Sequence, residues 1–412
     1  MLRSFRTRPL LVALLLGLVA QLLFGWQLGR PGKLNFDEVH YVPAARALLA
    51  LSGPVNIEHP LLAKELIAAG MAVFGDNPIG WRAAATLAGS ATVMGVFAVL
   101  WLVFGRLRVA AFGALLAMFN GFVFVHARTA MLEAFLGAFV TLGIAAMLWA
   151  MHAPPGRSRR RLLLAAVLLG AAVAVKWAAA PYVAFAILAF LLTRDGGRRW
   201  PDTGAAAGVL ILGLGSIASY FLTFAPAFFY AQDAMTLAKL LPFQWEMYVR
   251  QTQVLPAHPY QSSWWTWPLT LRPIWFFYEP EGGAQRGVLL VGNPAVMWGG
   301  LVAVAACLWA GWRDRSARLA GIGLLWVASL LIWAAIPKSL GFYYYYHLSA
   351  IFLCIALPAA CWRYGRGRLA RIDAWVAVAA VACAVHFYPI WSAAALDGPM
   401  GFQRWMWLDS WR

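Results

Sequence analysis

Residues 78–104 read PIGWRAAATLAGSATVMGVFAVLWLVF, an almost wholly apolar run long enough to carry a helix across the roughly 30 Å hydrocarbon layer of a bilayer. Runs of the same kind recur at 10–29, 109–125, 130–151, 161–176, 178–193, 203–224, 294–312, 319–336, 347–362 and 374–391. Alternation with a two-residue period is absent, so the spans are helices and not barrel strands. The expectation is an all-α polytopic membrane protein with about eleven transmembrane helices, a single membrane domain over residues 1–412. A soluble globule is excluded, because 62% of the 412 residues are hydrophobic and only 12% are charged.

The net charge of +17 is carried by short arginine clusters between spans, which points to membrane topology and not to nucleic acid. Arg3, Arg6 and Arg8, then Arg106 and Arg108, and clusters within 157–161, 194–199, 313–318 and 363–371 fall on alternate loops and hold 19 of the 33 basic residues. Twelve of the 16 acidic residues lie on the opposite face. The positive-inside rule therefore puts the N-terminus in the cytoplasm and the C-terminus outside. The first span is too long for a signal peptide and lacks a small-x-small cleavage site, so it reads as a retained helix.

Two external loops are long, 30–77 and 225–293. In the first, Asn35 and Glu38 have the spacing of a capping box, and Pro60 suits the first turn of a second short helix. In the second, 228–250 reads as an interfacial amphipathic helix and 256–280 as irregular chain dense in Trp and Tyr. Cys307, Cys354, Cys361 and Cys383 sit in apolar runs without metal-ligand spacing, so neither a disulfide framework nor a zinc site is expected. No phosphate-cradling glycine loop is present, and the short cytoplasmic loops offer no nucleotide site. No metal or other cofactor is called for.

Chemistry-bearing side chains concentrate in the external loops. Asp37 and Glu38 are adjacent and point about 100° apart on a helix, so one is suited to chemistry and the other to holding something. The bland reading makes Glu38 a helix cap and Asp37 a partner of the helix dipole. Glu58, His59, Lys64 and Glu65 form a second polar group at a helix start. Glu133 and Lys176 are ionisable at the edge of the membrane and hence functional candidates, against the alternative that Lys176 snorkels. The segment HPYQSSWWTWPLTLRPIWFFYE (258–279) and the rim PKSLGFYYYYH (337–347) set aromatic faces beside polar groups, which suits sugar rings, although an aromatic belt accounts for several of them.

FDEVHYVPAARALL, EHPLLAKELIA, FGDNPIGWRAAATLAGS, ARTAMLEAFL, VKWAAAPY, HPYQSSWWTWPLTLRPIWFFYE and YYYYHLSAIFL, in that order, resemble the protein O-mannosyltransferases that use dolichyl- or polyprenyl-phosphate mannose, members of glycosyltransferase family 39. The chain departs from the family at Leu61, Ala63 and Ser349, where a proline, a glycine and a proline are usual, and it lacks the luminal β-trefoil domain of fungal and animal members. That pattern favours a bacterial member acting at the external side of the plasma membrane.

The resemblance implies a GT-C fold and an inverting transfer of mannose from a polyprenyl-phosphate donor to Ser or Thr of an exported protein. Asp37 is then the expected base, with Glu38 as its catalytic neighbour. Arg128 and Lys176, with Lys64, Arg272 and His347, are expected at the donor phosphate, because a departing lipid phosphate gains charge that cations stabilise without a metal ion. His59, Glu133, His258, Trp265 and Tyr345 are expected around the sugar or acceptor. Two other readings stand beside this one. The same fold could serve a lipid or glycan acceptor, as in aminoarabinose transferases. A flippase of lipid-linked sugars would instead need midplane ionisable groups and paired halves, which the sequence lacks.

Overall fold

The computed structural model describes residues 8–194 and 199–412; Arg3, Arg6 and Arg198, used above in the charge argument, lie outside them. Helix α1 (Pro9–Gly25) leads into the first long loop, which carries the short helices α2 (Glu38–Leu49) and α3 (Leu62–Phe74). Helix α4 (Pro78–Phe104) begins as its sequence dictates: Pro78 occupies the first turn and the Asn77 side chain accepts hydrogen bonds from the amides of Ile79 and Gly80. It ends at Gly105, whose left-handed backbone (φ 61°) terminates the helix.

The next apolar run does not form one straight helix. α5 (Leu107–Met118) and α6 (Gly121–Ala127) meet at a 60° bend. Asn120 occupies the break, accepting from the Phe122 amide and donating to the Ala350 carbonyl, so the interrupted backbone keeps partners inside the protein. An irregular turn then reverses the chain into α7 (Leu132–Met151), placing Glu133 in its first turn.

The bundle continues through α8 (Ser158–Val175), α9 (Ala180–Leu192) and α10 (Ala205–Leu222), with α7 packed on α4 and on α8 and α8 packed on α10. The second long loop holds α11 (Leu237–Gln251), whose exposed side carries Leu237, Leu241, Trp245, Tyr248 and Val249 while Met247 is buried. α12 (Pro294–Arg313), α13 (Ala317–Ala335), α14 (His347–Tyr364) and α15 (Ile372–Trp391) complete the bundle. α14 is buried on nearly all sides, as expected of a helix apolar around its whole circumference.

By length and composition, seven of the described helices are suited to cross a membrane, or eight if the bent α5–α6 pair is one span. α1 and the Trp177–Leu192 helix are shorter apolar helices, and α8 opens with Arg159, Arg160 and Arg161. One departure from the all-α expectation is clear. Residues 274–290, part of them taken for irregular chain, form an antiparallel hairpin of β1 (Ile274–Glu281) and β2 (Ala284–Leu290). Its turn is Gly282-Gly283, both at positive φ (57° and 76°), and a Gly-Gly pair between apolar runs is a hairpin signal the hydropathy reading passes over.

Candidate active site

Asp37 and Glu38 are neighbours in sequence with opposite environments. Phe36 takes a left-handed backbone (φ 45°), unusual for an aromatic residue, and its ring is stacked on Phe276 at 4.5 Å and meets Tyr344 edge-on at 5.6 Å. The turn leaves Asp37 at the N-cap of α2, yet its side chain makes no capping bond and is half-buried. Glu38 turns inward. Its carboxylate accepts from Arg82 Nε (2.7 Å) and Nη2 (2.8 Å) and from the amides of Asn35 (2.9 Å) and Ala130 (2.8 Å).

Those four bonds use the whole acceptor capacity of a carboxylate. Neither side chain of the Glu38–Arg82 pair has any solvent exposure (0% and 0%), and Arg82 also donates to the carbonyls of Leu28, Pro31 and Lys33. The pair ties the first loop to α4 and to the turn before α7. The expectation of Glu38 as a second catalytic carboxylate is therefore corrected by the geometry: it is saturated and closed off. Part of the expected capping box does form, through the Asn35 amide, but Asn35 Oδ1 is left without a partner.

Within electrostatic reach of Asp37 stands an ion pair. Lys176 leaves the end of α8 in an extended conformation, and its ammonium lies 2.6 Å from Glu133 Oε1 and 4.6 Å and 5.2 Å from the ring centres of Tyr345 and Tyr344. Glu133 Oε2 is buried without a partner. Burial, then the charge of Glu133, push the Asp37 carboxyl up to about 7, against the opposing influence of Lys176 and the neighbouring Tyr344 hydroxyl. A carboxylate so poised is suited to take a proton near neutral pH.

Other expected residues are distributed unevenly. Tyr345 is in the cleft, stacked on Trp333 at 4.6 Å, and His59 packs 6.0 Å from Tyr41 with Nδ1 unpartnered. Burial first, then Lys176, Lys338 and Lys64, hold the His59 imidazole well below its ordinary value and hence neutral. His258 is exposed and lies against Phe342 at 5.2 Å, which in turn stacks on Tyr344, so it borders the outer rim. Trp265 is 62% exposed and touches Trp264 edge-on, away from these contacts.

Three expected phosphate ligands are otherwise engaged. Arg128 is buried and donates to the carbonyls of Phe24, Trp26 and Gln27, so it closes the end of α1. Lys64 is buried and donates to the carbonyls of Asn56 and His59, clamping the loop that presents His59. Arg272 donates to the Pro259 carbonyl at 2.7 Å. His347 is buried beside His126, rings 4.6 Å apart, and both of its nitrogens lack a protein partner. It packs so closely on α7 that a Cβ at Gly137 would meet His347 Nε2 at 2.7 Å.

Arg82, Tyr41, Tyr344 and His126 were not singled out in the sequence. Arg82 carried a usable signal, since an ionisable residue inside an apolar run needs a buried partner. Tyr41 and Tyr344 carried none beyond proximity to Asp37 and Tyr345. Among the described residues no group of three His, Cys, Asp or Glu side chains is disposed to hold a metal ion. A cavity of about 350 Å³ opens behind His59, between the first loop and α11, with Leu61, Phe224 and Phe243 in its wall and Lys239 and Glu246 at its edge.

Family comparison agrees with the order of motifs. Residues 58–222 match the family described as dolichyl-phosphate-mannose-protein mannosyltransferase, and 236–411 match the C-terminal four-transmembrane region of protein O-mannosyltransferase. The polyprenol-phosphate-mannose–protein mannosyltransferase of Mycobacterium tuberculosis is 28% identical, over 97% of this chain and 90% of that protein. The protein of that name from Corynebacterium glutamicum is 26% identical, over 81% and 78%.

In fold, the chain is similar to the S. cerevisiae protein O-mannosyltransferase Pmt1-Pmt2 complex bound to the sugar donor (TM-score 0.82, 13% identity, 98% of this chain and 93% of that one). It is also similar to ArnT from Cupriavidus metallidurans bound to undecaprenyl phosphate (TM-score 0.60, 19% identity, 94% and 65%).

Proposed function

The chain belongs to the protein O-mannosyltransferase family, and from that premise we propose how its residues carry out the transfer of mannose from a polyprenyl-phosphate donor to a Ser or Thr hydroxyl of an exported protein. The observation that carries the assignment is Asp37, a half-buried carboxylate without a capping bond, facing the Lys176–Glu133 pair.

Asp37 accepts the proton of the acceptor hydroxyl while that oxygen forms a bond to C1 of the sugar. The C1–O bond to phosphate breaks on the opposite face, its electron pair leaves with the polyprenyl phosphate, and configuration at C1 inverts. Lys176 stabilises the charge that collects on the departing phosphate. Glu133 holds the Lys176 ammonium in place, and its free Oε2 accepts from a sugar hydroxyl. Tyr344, Tyr345 and neutral His59 line the sugar. Glu38 acts by holding Asp37 in position through Arg82.

The isoprenoid chain is assigned to the apolar cavity behind His59, whose wall adjoins Tyr41 and so the Asp37 cleft. The arginine-rich loops belong in the cytoplasm of a bacterium and the Asp37 cleft at the external face of its plasma membrane, with eleven helical segments between. The charge asymmetry and the succession of apolar helices support this topology.

The test uses purified protein in lipid nanodiscs, donor labelled in the mannose, and two acceptors, a Ser/Thr-rich peptide and a lipid-linked glycan. Label in the peptide with inverted linkage supports the assignment. Label only in the lipid or glycan would overturn the protein acceptor in favour of a lipid or glycan one.

A further inference from the structure

The cations around the cleft differ in what they already hold. Arg82 is paired with Glu38, Lys176 with Glu133, and Arg128, Lys64 and Arg272 with backbone carbonyls. Lys338, half-buried in the segment joining α13 to α14, has no hydrogen bond or ion pair to its ammonium among the described residues. Its backbone is nonetheless fixed. Ser339 Oγ donates to the Gln253 carbonyl (3.0 Å) and accepts from the Leu255 amide (3.2 Å), and the Gly341 carbonyl accepts from the Ser262 amide (2.8 Å).

That anchoring holds the segment beside the cleft, where Trp333 stacks on Tyr345 at 4.6 Å and the Tyr345 ring lies 4.6 Å from the Lys176 ammonium, and it sets Lys338 within electrostatic reach of Lys176, His59 and Glu58. Burial, then repulsion by Lys176, bring its ammonium down to about 8, against the opposing pull of Glu58. A phosphate placed between the two ammonium groups would be attracted by both and would offset their mutual repulsion.

Resting on the transfer reaction above, we propose that Lys338 is the second cation at the donor phosphate, binding it jointly with Lys176 in the place expected for Arg128 and Lys64. The ligand class is a phosphate monoester or diester at the head of an isoprenoid. Because Lys338 is uncommitted, its hydrogen bonds to the ligand replace water and no protein contact. They strengthen as the phosphate goes from one negative charge to two during bond cleavage.

The experiment compares wild type, Lys338→Gln, Lys338→Arg and, as a control for general attraction of anions, Arg404→Ala, an exposed charge paired with Asp397 and outside the cavity behind His59. Binding of polyprenyl phosphate, of polyprenol without phosphate, and of inorganic phosphate is read by intrinsic tryptophan fluorescence in nanodiscs, alongside steady-state transfer. The expected result is that Lys338→Gln weakens polyprenyl-phosphate binding roughly tenfold or more, leaves polyprenol binding unchanged and raises donor KM with little change in acceptor KM. Lys338→Arg should recover most of the loss, and Arg404→Ala should match wild type.

Wild-type binding of polyprenyl phosphate and inorganic phosphate alike, with polyprenol excluded, would identify a free-phosphate site. Equal polyprenyl-phosphate affinity in wild type and Lys338→Gln, or an equal loss in Arg404→Ala, overturns the assignment to Lys338 while transfer by wild type stands. Failure of wild type to bind polyprenyl phosphate or transfer from it overturns the underlying reaction instead. A melting curve of Lys338→Gln coincident with wild type accompanies each reading, and Lys338→Arg supplies the same comparison if the Gln variant melts early.

Discussion

The Lys176 ammonium lies 2.6 Å from Oε1 of Glu133, joining the end of one helix to the first turn of another across 43 residues of chain. Neither helix terminus would hold that position on its charge alone. The pair supplies a fixed cation within electrostatic reach of Asp37 and, through the unpartnered Glu133 Oε2, a fixed acceptor.

If the pair acts as a unit, the two side chains do not contribute independently. Lys176→Gln and Glu133→Gln should each lower kcat/KM by about 10²-fold, and the double variant should be little worse than either single one. Additive losses, measured in a double-mutant cycle on the purified enzyme, would separate the two residues.

Asp37→Asn should reduce kcat by about 10²–10⁴-fold, the range for loss of a general base, with donor affinity nearly retained. Wild-type kcat/KM should rise with pH and reach half its maximum near the value of about 7 to which Asp37 is pushed. The same shift carries a stability consequence of definite sign. A carboxyl raised from 3.8 to about 7 in the folded protein costs stability as pH climbs through that window, because the folded form binds the proton more tightly. Asp37→Asn should therefore melt at a higher temperature than wild type at pH 8 and at the same temperature near pH 4, as read by calorimetry or scanning fluorimetry.

Glu38→Ala leaves Arg82 as an uncompensated buried charge and should cost about 3–5 kcal/mol, seen as poor yield and early melting. Glu38→Gln should retain more stability and measurable activity. A Glu38→Gln variant that melts normally yet loses activity as fully as Asp37→Asn would return Glu38 to the chemistry.

Arg128 provides a contrast with the resemblance. Because its guanidinium is held by the carbonyls at the end of α1, Arg128→Ala should lower melting temperature by several degrees and leave donor KM of the surviving folded enzyme within about twofold. A large rise in donor KM at unchanged melting temperature would contradict that structural role.

Trp265, exposed and in ring contact with Trp264 and not with the aromatic wall around Asp37, should be dispensable for the donor. Trp265→Ala should leave donor KM and melting unchanged; any effect should fall on acceptor KM, measured with the peptide substrate.

The sequence by itself determined the membrane class, the succession of apolar helices, the two long loops and the placing of Asp37 in the first of them, because apolar run length and local charge are one-dimensional properties that a bilayer reads directly. It also marked Glu133, Lys176 and Tyr345, since polar side chains set against apolar neighbours are conspicuous in composition. Tertiary structure decided which member of each charged group faces the cleft. Asp37 and Glu38 are chemically alike and adjacent, and only the left-handed turn at Phe36 and the distant Arg82 and Ala130 send one inward and leave the other open.

Likewise Arg128, Lys64 and Lys338 are equivalent as formal charges, and the carbonyls that engage the first two come from segments that spacing along the chain does not reveal. A partner's identity depends on folding geometry, and a cation's availability is what remains after its partners have been assigned.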